Sequence, residues 1–239
     1  MYLFLFDIDG TLLHPGPRPR EWFGDAISKL TGHTVSLKLE DVRGSTDPLI
    51  IEHALQRLGY PRDEINDLKP RILESYVDHM VSDYLHDSAP RYLFPGVVDV
   101  LEDLSCRADV VLGLVTGNME QVARLKLNAF GLWDFFKIGA FASDADLRIE
   151  LPPIALARAE SHYGDVLLPD CSVIVGDTLG DLEAGRHNGM FVVLVGHNSS
   201  SDYKVTLKAA APDYYLDDFT ENGLLSALFP PYQPTTMTT

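Results

Sequence analysis

Asp7 and Asp9 stand two residues apart directly after the apolar run Tyr2–Phe6, and Gly10-Thr11 follows at once. Along an extended backbone residues i and i+2 point to the same side, so the two carboxylates share one face of the chain. Gly10 lets the chain turn sharply away behind them. An Asp-rich turn that merely ends a strand is the plain alternative. Three later segments bear on the choice. Val115 leads into Thr116-Gly117-Asn118, a hydroxyl and a glycine N–H just ahead of a helical pattern, and such a turn can cradle a phosphoryl oxygen. Val175 leads into Gly176-Asp177, with Asp181 four residues on, one helical turn away. Ile138–Ala142 leads through the acidic loop Ser143-Asp144-Ala145-Asp146-Leu147 to Arg148. Any one of these alone reads as a cap or a solvated turn. Four strand ends with compatible phosphate chemistry do not.

The elements that must position these groups are short and apolar. Tyr2–Phe6, Val110–Val115, Ile138–Ala142, Ser172–Val175 and Phe191–Val195 read as strands buried on both faces, with Tyr214–Leu216 a weaker sixth. Helical patterns over Gly96–Arg107, Met119–Phe130, Pro152–Tyr163 and Leu179–His187 alternate with them. That rhythm predicts βαβ units and a doubly wound parallel, Rossmann-like α/β sheet, whose crevice at the carboxyl ends of the strands takes the ligand. Residues 15–92 break the rhythm. Helical patterns at Glu21–Leu30, Pro48–Leu58, Arg62–Leu68 and Lys69–Leu85 predict an inserted α-helical subdomain, crossing to the sheet domain near Pro15–Pro19 and Ala89–Pro95. The expected division is therefore a core of residues 1–14 and 93–229, a helical cap of residues 15–92, and a loose tail of residues 230–239.

Composition narrows the partners. Of 239 residues, 46% are hydrophobic and 23% charged, which excludes a disordered chain, a collagen-like repeat and a coiled coil. Lys plus Arg number 19 against 35 Asp plus Glu, a formal charge of −16. Such a surface repels polyphosphate backbones and anionic lipid, so neither nucleic acid nor a membrane is an expected partner. An anionic substrate would need local help against that field, and a metal ion is the obvious source. Cys106 and Cys171 have no zinc-ligand spacing and read as two buried thiols. Tyr2–Phe6 is too short for a signal-peptide core, and no run approaches the ~20 apolar residues that span a bilayer, so a soluble cytoplasmic protein is expected.

In order along the chain, Asp7-x-Asp9-Gly10-Thr11, Thr116-Gly117-Asn118 and Gly176-Asp177-x-x-x-Asp181 resemble the motifs of the haloacid dehalogenase-like (HAD) hydrolase superfamily. Gly44-Ser45-Thr46-Asp47-Pro48 and Phe94-Pro95-Gly96-Val97 look like its phosphoglycolate-phosphatase-like branch, which carries a helical cap between the first two motifs. The resemblance implies a phosphatase acting on a small phosphorylated metabolite. It puts the Asp7 carboxylate, the Asp9 backbone carbonyl and the Asp177 carboxylate around Mg²⁺, with Asp181 holding metal-bound water. Asp7 would be the nucleophile, giving an aspartyl-phosphate, and Asp9 the general acid and then base. Thr116 and the Gly117 N–H would bind the phosphoryl group, with Asn118 assisting.

The superfamily usually has a lysine between the third and fourth strands, and this chain has none from Ile138 through Tyr203. The resemblance carries the cation's role onto Arg148, a planar fork in place of a point charge. Arg43 in the cap would hold a second anionic group on the substrate, the alternative being a loop arginine paired with Asp41 or Glu40. His14 lies near the first crossing, and Tyr60, Tyr76 and Tyr84 read as packing. Other readings stay open: a phosphomutase sharing the aspartyl step, a phosphonate-cleaving enzyme using Lys29, Lys38 or Lys69, or a binding module that kept the scaffold and lost turnover. A monomer and a homodimer are equally compatible with the sequence.

Overall fold

Tyr2–Phe6 is apolar at every position because this strand, β1, has a partner on each edge and a helical layer on each face. The computed structural model describes residues 1–164, 167–220 and 223–232. After β1 come β2 (Leu13–His14), α1 (Arg18–Thr31), α2 (Leu39–Val42), α3 (Asp47–Arg57), α4 (Arg62–Asp83) and β3 (Tyr92–Leu93). The chain continues through α5 (Val97–Ser105), β4 (Val110–Val115), α6 (Glu120–Asn128), β5 (Ile138–Ala140) and α7 (Leu151–Tyr163). It closes with β6 (Ser172–Gly176), α8 (Leu179–His187), β7 (Phe191–Val195), α9 (Ser201–Ala209), β8 (Tyr214–Leu216) and α10 (Leu224–Ala227). Six strands form one parallel sheet in the order β5-β4-β1-β6-β7-β8, with Leu5 opposite Gly113 on one side and Ile174 on the other. This is the expected doubly wound α/β fold.

The period of two along β1 sorts its side chains between two cores. Phe4 and Phe6 join Leu101 and Leu104 of α5 and Leu127 of α6 on one face. Leu3 and Leu5 join Ala155 of α7, Leu182 of α8 and Leu207 of α9 on the other. A third cluster belongs to α1, α3 and α4, built on Phe23, Ile27, Ile51, Leu55, Ile72 and Met80. It also takes in Val122 of α6, whose neighbour Ala123 packs under the sheet, so α6 is apolar toward both. β2 and β3 pair antiparallel at the two ends of the helical segment, and the rings of His14 and Tyr92 stack 5.0 Å apart.

Several expectations change. Arg62–Leu68 and Lys69–Leu85 are one helix, α4, with Pro70 inside it. The proline does not break it because Ile65 before and Ile72, Tyr76 and Met80 after all bury into the same cluster. The apolar pattern predicts neither α2, which buries nothing, nor α9, which buries only Leu207 and is started by the Ser200 side chain accepting from the Tyr203 N–H. β5 ends two residues early, at Ala140. Cys106, just past the end of α5, is exposed and not buried. Residues 233–239 of the expected loose tail lie outside the described residues, but Tyr232 is anchored. Its N–H donates to Asp109 at 2.7 Å and its ring meets Tyr2. No helix among the described residues is long and apolar enough to cross a membrane.

Pro70 is exposed, so its ring contributes little packing while it removes a helical N–H and crowds the preceding turn. Pro70→Ala is expected to raise the free energy of unfolding by about 1–3 kcal/mol in urea titrations. A loss of stability would show that the helix is shaped around the proline.

Candidate active site

Each strand end contributes at one rim. The ladder runs one residue past β1, where the Asp7 N–H donates to Val175 O at 2.9 Å, and this sets the Asp7 side chain beside the end of β6. Asp177 follows β6, and the Thr11 hydroxyl donates to its Oδ1 at 3.2 Å. Asp181 lies in the first turn of α8. Its Oδ2 takes the Thr178 N–H at 3.0 Å and hydroxyl at 2.6 Å, a capping box that starts the helix and aims the side chain inward. Beyond β5, a single helical turn at Arg148–Glu150 delivers Arg148, whose Nη2 lies 3.0 Å from Asp7 Oδ2 and 2.6 Å from Asp181 Oδ1. Arg148 is buried and does not pair with Glu150.

The loop after β4 faces this group. Asn118 Nδ2 donates to Asp9 Oδ2 at 3.0 Å and to Thr116 Oγ1 at 2.9 Å. Gly10, at φ 89°, and Gly117 are required by close approach. A Cβ on Gly10 would lie 2.2 Å from Asp177 Oδ2, and one on Gly117 would lie 2.1 Å from the Ser45 carbonyl oxygen. The structure thus brings Asp7, Asp9, Thr116, Gly117, Asn118, Arg148 and Asp177 to the lining of one cleft of about 340 Å³, with Asp181 just beneath it. Residues of α1, α2, α3 and α4, with the loops that join them, form its other wall.

Carboxylate oxygens of Asp7, Asp177 and Asp181 lie within 4.8 Å of one another. Both Asp181 oxygens are already committed, to Arg148 and to Thr178, which leaves Asp7 and Asp177 as the acids with capacity to spare. Burial pushes Asp7 up to about 6 although Arg148 pulls the other way, with Asp181 and Asp9 adding to the rise. Burial, with Asp181 and Asp7 adding, raises Asp177 well above the carboxylate range. Ionised together, three buried acids would carry more negative charge than one guanidinium neutralises, and hard oxygen donors suit a hard divalent cation. The residues fit one.

Three residues escape sequence reasoning, Lys126 and Arg20 in the cleft lining and His197 behind it. Lys126 of α6 is 2% exposed, with Nζ 2.5 Å from Asp9 Oδ2 and 2.7 Å from Asn118 Oδ1. Its signal was spacing, since Lys126 interrupts the buried face Val122, Ala123, Leu127. Arg148 is therefore not the sole cation near the acids. His197, beyond β7, places Nε2 3.0 Å from the Gly10 carbonyl oxygen and stacks on Phe94 at 3.9 Å, and burial lowers it to about 4. It is neutral at pH 7 and steadies the turn behind Asp9. Arg20 of α1 lines the cleft half-buried, with no ion pair among the described residues.

Other expectations resolve differently. Arg43 lines the cleft with its guanidinium 4.0 Å from the Tyr203 ring centre, while Asp41 pairs with Arg57 instead. His14 lines the cleft and its Nδ1 accepts the Gly16 N–H at 3.1 Å. The acidic loop after β5 is structural: Asp144 takes Arg158 on both oxygens at 2.7 Å, and Asp146 takes Lys69 of α4 at 2.5 Å. Lys69 is thereby committed. The helical wall is tied down again where Thr46 donates to the Asp146 carbonyl. The Asp47 N–H donates to Gly117 O at 2.8 Å, and Asp47 Oδ2 accepts the Met119 N–H at 2.9 Å.

Comparison with known proteins bears on the family and the fold. The family model of haloacid dehalogenase-like hydrolases matches residues 1–189. No curated protein matches the sequence. CbbY from Rhodobacter sphaeroides, solved with phosphate, is 20% identical with a TM-score of 0.69, covering 93% of this chain and 97% of that one. A second CbbY structure holds xylulose-(1,5)bisphosphate, at 20% identity and TM-score 0.68, covering 92% and 96%. A predicted phosphoglycolate phosphatase from Haemophilus somnus is 22% identical with a TM-score of 0.67, covering 95% and 98%. At these identities the likeness to the solved structures is one of fold.

Burial raises Asp47 to about 7, against the Met119 hydrogen bond and the Lys126 charge that lower it. The folded chain therefore holds a proton that the unfolded chain gives up, and this contribution to stability is lost as pH rises from the ordinary carboxylate value toward 7. Asp47→Asn keeps an oxygen for the Met119 N–H and removes the charge. Its melting temperature should exceed that of the unmodified protein at about pH 8, with the gap closing near about pH 4. A gap independent of pH would show that Asp47 is not held protonated.

Proposed function

Because the chain belongs to the haloacid dehalogenase-like hydrolases, we propose that it is a Mg²⁺-dependent phosphatase that cleaves a small phosphorylated metabolite through an aspartyl-phosphate on Asp7. One observation carries this reading. Asp7, Asp9, Asp177, Thr116, Asn118 and Arg148 leave four different strands and meet at one rim of the sheet. Asp7 and Asp177 with the Asp9 backbone carbonyl would hold Mg²⁺, with Asp181 behind them. The ion supplies the positive charge that lets a carboxylate approach a phosphate dianion.

The chain's own groups do the rest. Arg148 fixes Asp7 through its Oδ2 and adds charge against the phosphoryl oxygens. Asp7 attacks phosphorus in line and the bond to the leaving oxygen breaks, that oxygen taking a proton from Asp9. Water then attacks the phosphorus of the aspartyl-phosphate, giving its proton to Asp9 and restoring the Asp7 carboxylate. The Thr116 hydroxyl and the Gly117 N–H bind the transferring group. Residues 15–92 act as a cap over the site, and the ties at Asp47, Thr46 and Lys69 close it and exclude water.

A cleft of about 340 Å³ suits a metabolite rather than a macromolecule. In a strongly acidic protein, Arg20, which has no ion pair among the described residues, together with Arg43, favours a substrate carrying a second anionic group. The test is phosphate release by the purified protein and Mg²⁺ across a panel of phosphorylated metabolites. Asp7→Asn should cut kcat at least about a thousandfold with the melting curve retained, and chelation of the metal should do likewise. Turnover that survives either change would refute the mechanism.

A further inference from the structure

A buried ammonium is costly unless it is paired, and α6 could have completed its apolar face with a leucine at position 126. Lys126 instead reaches Asp9 Oδ2 at 2.5 Å and Asn118 Oδ1 at 2.7 Å. Asn118 Nδ2 donates to the same Asp9 oxygen at 3.0 Å. Two donors on Oδ2 leave it no room for a proton. The other oxygen, Asp9 Oδ1, is buried and has no hydrogen-bond partner among the described residues. Arg148, meanwhile, is spent on Asp7 and Asp181. The two buried cations thus serve different acids, one beside the nucleophile and one beside its neighbour.

We propose that Lys126 is a positioning residue for Asp9, holding Oδ2 in a clamp shared with Asn118 so that Oδ1 is the atom that gives and takes the proton. This rests on the phosphatase reading above. The Oδ1 proton passes to the ester oxygen as its bond to phosphorus breaks and the alcohol leaves. The water that attacks the aspartyl-phosphate returns a proton to Oδ1 as the bond from phosphorus to the Asp7 oxygen breaks. Atoms and charge balance over the cycle, and Lys126 keeps its own proton throughout. Its part is geometric: without it, the carboxyl can rotate about its last torsion and present either oxygen, or neither, to the leaving group.

A double-mutant cycle with β-glycerol phosphate, an alkyl ester whose alcohol must leave protonated, and Mg²⁺ tests this. Lys126→Met should lower kcat about 10- to 100-fold while KM changes by less than about threefold. In an Asp9→Asn background, adding Lys126→Met should cost no more than about threefold, because the residue it positions is already gone. Lys126→Gln, which keeps a donor without the charge, should fall between Lys126→Met and the unmodified enzyme. It replaces Lys126→Met in the cycle if that variant fails to melt cooperatively. Losses that multiply in the double variant, a loss confined to KM, or full activity in Lys126→Met would overturn the proposal. If Asp9→Asn is itself as active as the unmodified enzyme, Asp9 has no part in proton transfer and the reading beneath the proposal falls, which the cycle reports separately.

Discussion

The structure turns on the mutual repulsion of carboxylates gathered out of water. Asp7, Asp177 and Asp181 sit within 4.8 Å of one another, and among the described residues only Arg148 pairs with them. Such a group does not persist by itself: each acid would protonate, swing away or draw in a cation. The surroundings remove the second option. Asp181 is locked by its capping box, Asp177 by the Thr11 hydroxyl and the wall of Gly10, and Asp7 by the ladder to β6. What is left is a choice between a proton and a cation at a fixed point, where Arg148 meets only part of the demand.

The same logic explains how the helical layer relates to the sheet. α6 is the element they share, with Ala123 and Leu127 facing the sheet core and Val122 facing the cluster of α1, α3 and α4. The residue between those faces, Lys126, therefore lies at the junction, where its stem is covered from both sides and its amine emerges at Asp9. Asp47 approaches the same junction from the other layer and binds the backbone at Gly117 and Met119, on either side of Asn118. Closure of the layers and placement of the polar groups are a single packing event.

Much of this could be read from the chain. The five short, largely apolar strands and their alternation with helices made the sheet legible, because a doubly covered strand has no solvent-facing position to disguise it. Asp7, Asp9, Thr116, Asp177 and Asp181 were legible because strand ends and first helical turns fix where a side chain goes within a residue or two. Lys126 and His197 were not. Lys126 lies two turns into a helix, where a single polar residue on an apolar face looks like noise, and its partner Asp9 is more than a hundred positions away. His197 depends on Phe94 and the Gly10 carbonyl, neither of which its own neighbours announce. Arg43 shows the converse: its place near the cleft was legible, but Tyr203, on the unexpected helix α9, supplies the ring it rests on.

Gly117 has no space for a side chain because the Ser45 carbonyl comes down on it. At that seam main chain meets main chain, so any larger residue at position 117 would have to wedge the two layers apart.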